Sequence, residues 1–510
     1  MTTASLQHAP VKWAKVIDNA RCIGCQACTV ACKSDHDVPI GVTRTYVKQV
    51  EAGIFPHVQR QFQVTRCNQC EEPPCVESCP VSAMFQRPDG IVDFDRSVCI
   101  GCKACIAACP YDAIYIDPYS HSAEKCNFCA HRVDRGLEPA CVAVCPTQAI
   151  IVGNGNDPDS PISAYLAGKR MSVRKPEKGT RPKLYYHDGN QASLSPLASL
   201  ARPQGFASQT QPGDLGVNGR MGAPGAHGAA AAVIAYDNAH RAPWDWRVSA
   251  YTWTKSLGAG VFLVAAAAAL CGFPLAPGFA AAVDVLSLLL LAATGALLIG
   301  HLSHPGRFWY IFVRPQWRSW LARGAYAMAA FGAVVAVHLL ATLVALPALA
   351  AAAEWADIPL ALLTAVFTGF ILGQSKGRDL WQSPLVPLHL AVQCVVAGAA
   401  VIAVAGGPAG SPAWTVPVLA VALAAHLTLA LLEGLAPHPT ADATAAAHQW
   451  VWGRFRPWYW APVLGGAVLP LVLLAGVPPM SALPAAGLAL AGLLAYEHGY
   501  LQAGQSLPLS

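Results

Sequence analysis

The sequence predicts an α+β extramembrane domain followed by an all-α, polytopic membrane domain of about eight transmembrane helices. Only 12% of the 510 residues are charged and 54% are hydrophobic, against roughly 25% charged in an ordinary soluble domain. The two kinds are unevenly spread. Most of the charge and 16 of the 18 cysteines precede about Arg247, and Ala, Leu, Val and Gly dominate the remainder. Apolar stretches close to the roughly 20 residues that cross a hydrocarbon core recur through that second half. A net charge of +5 is too small to argue for nucleic acid, so none is expected as a partner.

The cysteines form four groups of four. Cys22, Cys25, Cys28 and Cys32 follow C-x2-C-x2-C-x3-C, and Cys99, Cys102, Cys105 and Cys109 repeat that spacing. Cys67, Cys70, Cys75 and Cys79 have four residues in the middle gap, and Cys126, Cys129, Cys141 and Cys145 have eleven. Both keep the C-x2-C start and the C-x3-C end. In this run, short gaps let three thiolates close on one iron–sulfur cubane, while the fourth cysteine reaches the neighbouring cluster. Sixteen ligands then hold four [4Fe-4S] clusters, which makes residues 1–152 a ferredoxin-like domain. Structural zinc also uses C-x2-C units, but as two pairs per site rather than three ligands plus a remote one. The spacing argues against disulfides as well. "CPVSAM", "CPYDAI" and "CPTQAI", starting at Cys79, Cys109 and Cys145, mark an internal repeat in which proline turns the chain before a short apolar strand; the first group has Lys33 instead. With no adjacent substrate motif, four clusters make a wire.

Over Pro10 to Val152 these groups resemble the four-cluster electron-transfer subunit of the dimethyl sulfoxide reductase family of molybdenum enzymes. That family also includes nitrate, polysulfide, formate and sulfite enzymes. The resemblance implies a molybdopterin catalytic subunit as partner, and it implies ligand sets. Cys22, Cys25, Cys28 and Cys145 would hold the first cluster, and Cys32, Cys126, Cys129 and Cys141 the second. Cys79, Cys99, Cys102 and Cys105 would hold the third, and Cys67, Cys70, Cys75 and Cys109 the fourth. The first pair would lie nearer the molybdenum and the second nearer the membrane. Some relatives carry tryptophan at the place of Cys102 and a three-iron cluster there; cysteine here implies four cubanes.

Residues 153–244 are rich in Gly, Pro, Ser and Ala, and such a segment buries too little apolar surface to fold alone. It is expected to be a linker, or an arm lying on a partner over Pro161 to Tyr186, where "AYLAGKRMSV" suits a short helix. Two modules joined in this way make the chain look like a fusion of two subunits. The opening twenty residues show neither an apolar signal core nor a twin arginine, so no export signal is expected in them.

Residues 245–510 contain eight candidate spans, near Tyr251–Gly272, Ala280–Leu302, Leu321–Leu346, Leu360–Leu372, Leu385–Ala405, Trp414–Leu435, Trp460–Gly476 and Ser481–Tyr500. The fourth is short. Arg241, Arg247, Lys255, Arg307, Arg314, Arg318, Arg323, Lys376, Arg378, Arg454 and Arg456 all fall on the side of the cluster domain, and the opposite loops contain no Lys or Arg. By the positive-inside rule that side is cytoplasmic, which predicts a multi-pass protein of the inner (plasma) membrane with its cluster domain in the cytoplasm. A partner bearing a twin-arginine signal would reverse this orientation.

"GHLSHPGRFWYIF" and "SWLARGAY" resemble the membrane anchor of dimethyl sulfoxide reductase, where a similar segment lies near the quinol site. "WQSPLVPLHLAVQCVVAG" and "EHGYLQAGQSLPLS" resemble the wider anchor family of polysulfide and nitrite reductases. Chemistry points the same way. A quinone exchanges two electrons and two protons, so its site needs a proton-exchanging group, and ionisable residues at membrane depth are costly and usually functional. His304 and Arg307 are the first candidates to bind quinone, followed by His301, His389 and Glu433; Glu497 lies at the same end of its span. Asp284, His338 and His426 sit deeper, where helix–helix hydrogen bonding is the expected role. Cys271 and Cys394 read as small packing residues. No haem is expected, because the resembled anchors lack it.

The expected function is electron transfer between the membrane quinone pool and a molybdopterin subunit, embedded in lipid, with the catalytic partner tilted by the cytoplasmic orientation towards a sulfite-type dehydrogenase. The alternatives are the quinol-oxidising subunit of a terminal S-oxide, N-oxide or polysulfide reductase, a redox-driven ion pump, and a ferredoxin-type sensor or scaffold, for which eight spans would be superfluous.

Overall fold

The computed structural model describes residues 11–54, 56–201, 232–238, 242–476 and 482–510; Arg241 and the centre of the 153–244 segment lie outside them. The described residues divide between two compact units. One takes in Met1–Val76, Ser82–Arg241 and Pro508–Ser510, and the other Glu77–Val81 and Ala242–Leu507.

Two four-stranded sheets frame the first unit. β1 (Trp13–Asp18) and β2 (Tyr46–Ile54) flank the first cysteine group, and β3 (His57–Thr65) returns antiparallel to β2. β4 (Ile150–Asn154) follows the last cysteine, and β5 (Met171–Ser172) and β6 (Leu184–His187) come from the Gly/Pro-rich stretch. The order is β4-β1-β6-β5, with β6 parallel to β1 and β4 antiparallel to it. In the second sheet β7 (Leu200–Ala201) and β8 (Val233–Tyr236) extend the β2-β3 hairpin in the order β7-β8-β2-β3. Short hairpins, Met84–Gln86 with Val92–Phe94 and Ile114–Ile116 with Ala123–Lys125, carry the apolar strands that follow two of the Cys-Pro turns.

At its described ends, the stretch expected to be a linker or partner-bound arm is built into the sheets of the first unit. The short helix exists, as Pro161–Gly168. Around it the chain adds strands to its own domain by using a core that is already present: Ile162 packs on Ala14 and Val16, while Leu184 and Tyr186 pack with Ile17 and Ile150. A low-apolar segment needs no core of its own when it can complete an existing one.

The second unit is built on eight long helices among the described residues: α1 (Trp246–Leu270), α2 (Pro277–His301), α3 (Trp320–Leu343), α4 (Pro347–Gln374), α5 (Leu385–Gly407), α6 (Thr415–Leu435), α7 (Pro457–Gly476) and α8 (Ala482–Gly504). Seven are long and apolar enough to cross a membrane. α8 has the length, at 23 residues, but Tyr496, Glu497 and His498 make its second half polar. The fourth span, expected to be short, is the longest, at 28 residues. Its N-terminal half carries Glu354 and Asp357, which hide a span from a hydropathy reading.

α5 is the most enclosed helix and α2 the least. Around α5 the core is alanine: Ala397, Ala399 and Ala400 meet Ala485, Ala486 and Ala489 of α8, all fully buried. Lipid gives little hydrophobic drive between helices, so small residues that permit close approach carry the packing. The tightest case is Gly260 on α1 against Gly398 on α5, where a Cβ on either would strike the other helix's backbone. α7 widens into a π-helical segment over Pro462–Val468, beside prolines at 457, 462 and 470 that lack the N–H a regular ladder needs.

Candidate functional site

The first C-x2-C pair of each cysteine group bends in one way. The residue before its second cysteine has a left-handed backbone: Gly24 (φ 67°), Gln69 (48°), Gly101 (69°) and Phe128 (63°). Non-glycine residues avoid this region, and its recurrence at Gln69 and Phe128 marks a loop held in place by its surroundings. Such turns form nests of backbone N–H groups that suit anions and iron–sulfur sites. The three Cys-Pro turns share a second device, with Ser82, Asp112 and Gln148 left-handed three residues after their cysteines. Backbone N–H groups donate to sulfur at Cys145 (from Ala149, 3.2 Å) and Cys99 (from Ala123, 3.4 Å).

These turns gather thiols from distant groups. One cavity is lined by Cys22, Cys25, Cys28 and Cys145, and another by Cys67, Cys70, Cys75 and Cys109. Each combines three ligands of one group with the last cysteine of another, as in two of the four expected sets. Cys32, Cys126, Cys129 and Cys141 also neighbour one another. Burial and Cys126 raise the Cys32 thiol well above its usual range, and burial with Cys126 and Cys141 pushes Cys129 up to about 11. Cys141 is the exception: burial raises it, but Lys15 and Arg66 outweigh burial and leave it below the ordinary thiol value. Cys99, Cys105 and Cys79 are buried and Cys102 half-buried. All sixteen are free thiols. Four soft donors around a small enclosed cavity, with N–H groups donating to sulfur, fit a [4Fe-4S] cubane.

In the membrane unit a second buried site is ringed by polar groups from five helices. His389 of α5 bonds the Glu433 carboxylate of α6 (Nδ1 to Oε2, 2.8 Å) and the His426 ring (Nε2 to Nδ1, 2.8 Å). Tyr496 of α8 donates to the same Glu433 oxygen at 2.9 Å. The cavity beside them is also lined by Thr252, Thr368, Gln393 and Glu497. Both oxygens of buried Glu497, and Oε1 of Glu433, meet no partner among the described residues. Lys255 of α1, fully buried, donates to the Ala365 carbonyl (2.7 Å) and Thr368 Oγ1 (2.8 Å) of α4. Unpartnered carboxylate oxygens in a buried cavity are costly and point to a ligand or to proton traffic.

Residues 236–508 match the family described as "Polysulphide reductase, NrfD", which is more than half of the chain. The chain belongs to the NrfD polysulphide reductase family. Ahead of the NrfD region, residues 58–155 match a 4Fe-4S dicluster domain and residues 19–35 a 4Fe-4S binding domain. The first part of the chain is also similar to single iron–sulfur subunits. It is 44% identical over 202 residues to the B subunit of tetrathionate reductase from Salmonella typhimurium strain LT2, covering 38% of this chain and 78% of that protein. It is 45% identical over 177 residues to the B component of polysulfide reductase from Wolinella succinogenes, covering 34% and 93% respectively. Protein NrfC of Escherichia coli strain K12 is 43% identical over 178 residues, covering 34% and 80%. The protein is thus an iron–sulfur electron-transfer subunit fused to an NrfD-type, multi-pass membrane anchor, and it binds iron–sulfur clusters.

Within the NrfD-type anchor the residues expected to bind quinone separate. His389 and Glu433 share the cavity. His301 instead ends α2 and pairs with Asp245 (3.3 Å), while His304 and Arg307 lie on the short turn around Pro305–Arg307 and do not line it. His426, Tyr496, Lys255 and Gln393 lie outside the expected set. "AYEHGY" interrupting an apolar helix is the available signal for Tyr496. Asp284 and His338 do join α2 to α3 (2.7 Å), and His338 also approaches Glu354 of α4 at 3.5 Å. Buried Asp357 has no partner for either oxygen among the described residues.

Proposed function

We propose that this chain carries electrons between a membrane quinone and a separate molybdopterin catalytic subunit, through four [4Fe-4S] clusters. The observation that carries the reading is the convergence of thiols from separate groups on two cavities, each in a three-plus-one pattern. In this assignment Cys22, Cys25, Cys28 and Cys145 form one ligand set and Cys32, Cys126, Cys129 and Cys141 a second. Cys79, Cys99, Cys102 and Cys105 form a third, and Cys67, Cys70, Cys75 and Cys109 a fourth. Each cluster supplies one-electron chemistry when bound. The protein's part is to fix the sulfurs, shield them and surround them with N–H donors. Fully loaded protein is expected to contain about sixteen irons per chain; about twelve would sink the four-cubane assignment.

At the membrane end, quinol oxidation releases two electrons and two protons, so the protein must supply proton acceptors. The His389–Glu433 pair and Glu497 are placed in one cavity to serve, with Tyr496 holding the Glu433 oxygen in position. Run in reverse, the same groups give protons to quinone. This reading rests on His389 and Glu433; His301, at the end of α2, and His304 and Arg307, on the turn after it, do not line the cavity.

The names of the similar proteins, tetrathionate and polysulfide reductase subunits, favour electron flow out of quinol towards a reductase. The positive-inside bias supports an inner-membrane protein with a cytoplasmic cluster domain, which instead suits a dehydrogenase of the sulfite type. One experiment addresses both partner and direction. Native membranes are solubilised gently, the tagged chain is recovered, and the material is assayed for molybdenum or tungsten with pterin. The expected result is stoichiometric metal with a large second subunit, whose turnover of tetrathionate, polysulfide, sulfite or S-oxides sets the direction. Recovery without metal or partner would overturn the assignment.

The acids near His338 favour one further reading, a redox-driven ion pump, because Asp284 and the half-buried Glu354 meet that ring from two helices and buried Asp357 on α4 has no partner among the described residues. Proton uptake by proteoliposomes during quinol turnover would support it, and turnover without uptake would remove it.

A further inference from the structure

We propose that Arg66, assisted by Lys15, raises the reduction potential of the cluster held by Cys32, Cys126, Cys129 and Cys141. The inference rests on the ligand assignment above and adds a potential-setting role that the assignment does not contain.

Arg66 stands between the end of β3 and Cys67, and its side chain is 1% exposed. Its Nη1 donates to Cys141 Sγ at 3.0 Å. Its Nε and Nη2 are buried with no acceptor, and no carboxylate pairs with it among the described residues. Lys15, on β1 and 3% exposed, brings Nζ to 3.9 Å from the same sulfur and 4.5 Å from the centre of the Phe128 ring. It too has no carboxylate partner among the described residues. Elsewhere in this unit the buried guanidinium of Arg44 is matched by Glu124 at 2.6 Å.

Two buried cations on one sulfur, both without an anion, would be severely destabilising if the site held only neutral thiols. Their counter-charge is the site's own content. Four thiolates with a [4Fe-4S] core carry roughly two negative charges when oxidised and roughly three when reduced. The two cations therefore attract the reduced form more strongly than the oxidised one, and in a dry setting that difference is weakly screened. Moreover, Nε–H and Nη2–H of Arg66 are buried donors with no acceptor among the described residues, and hydrogen bonds from them to cluster sulfurs would raise the potential in the same direction. One electron from a neighbouring cluster reduces this one, and no other bond changes. A cluster biased in this way holds its electron between turnovers and keeps the wire charged.

The test is a potentiometric EPR titration of the full chain in its native membranes. Cys141→Ser identifies the signal that belongs to this ligand set. Arg66→Gln is expected to move the midpoint of that signal downward, shifting the reduction equilibrium at least tenfold, about 59 mV for one electron. Arg66→Lys is expected to retain most of the wild-type value, and Arg60→Gln, a surface residue paired with Glu51, to leave every signal in place. A loaded Arg66→Gln protein with an unchanged midpoint overturns the inference. Should the glutamine variant fail to assemble the cluster, Lys15→Gln decides: its midpoint must also fall, and an unchanged one overturns the proposal. If Cys141→Ser abolishes no single signal, the ligand assignment itself fails, which is a separate outcome.

Discussion

Glu433→Gln is expected to slow quinol-linked electron transfer by about a hundredfold or more while leaving iron content and cluster EPR unchanged. Glutamine preserves the volume and can still accept from Tyr496, so the packing of α5, α6 and α8 should survive. What it cannot do is take up a proton. The Glu433 carboxylate also bonds the His389 ring at Nδ1, so the substitution removes the negative charge beside the second proton carrier. His389→Gln should give a loss of similar size, and the double variant should be little worse than either single one, since the two residues act as one hydrogen-bonded unit. The comparison that separates this reading from the alternative is His304→Ala with Arg307→Ala. That pair is expected to reduce turnover far less than Glu433→Gln, because neither residue lines the cavity. Measured with a soluble quinol analogue in membranes, a normal rate in Glu433→Gln alongside a collapsed rate in the loop variant would move the site to the α2–α3 turn.

What could be read from the sequence depends on how far apart the interacting residues lie along the chain. The cysteine code is local: the C-x2-C spacing fixes a turn within four residues, and the turn shows its left-handed position at Gly24, Gln69, Gly101 and Phe128. The spans are equally legible, since apolar length is a property of one segment; the exception is α4, whose start is obscured by Glu354 and Asp357. The membrane cavity is made by contacts of long range. His389 meets His426 at a separation of 37 residues and Glu433 meets Tyr496 at 63, so no single segment announces them. The stretch carrying His301, His304 and Arg307 looks richer in sequence because its polar residues are close together, whereas the fold collects polar residues from five helices. The Gly/Pro-rich bridge misleads for a related reason. Composition describes what a segment can bury alone, and β6 is buried by partners more than a hundred residues earlier, pairing Leu184 with Lys15.

Gly260→Leu is expected to be the most damaging single change in the membrane unit, more so than loss of any polar group in its cavity. At this position α1 and α5 touch backbone to backbone: the first atom of a side chain at 260 would meet the Cys394 carbonyl and the Gly398 amide. Neither neighbour is a flexible side chain that could swing aside. The helices must separate, and the separation spreads. Leu257 on α1 belongs with Ala397 and Ala400 in the alanine core, and Ala259 and Phe262 belong with Cys394 in the next. Lys255, one turn away, would lose its hold on Ala365 and Thr368. Overpacking a well-filled core costs about 1–3 kcal/mol, occasionally more, and here the obstruction is main chain, so the upper end or beyond is expected. Gly260→Ala should show the same defect in milder form, because even one methyl has no room. The measurement is the detergent-solubilised melting temperature of the membrane unit, together with membrane-inserted yield. The iron–sulfur unit is an internal control: its cluster signals should persist in whatever protein is recovered. Near-normal stability of Gly260→Leu would mean that α1 and α5 are not in backbone contact at this crossing, and the alanine-core packing described for α5 would have to be abandoned with it.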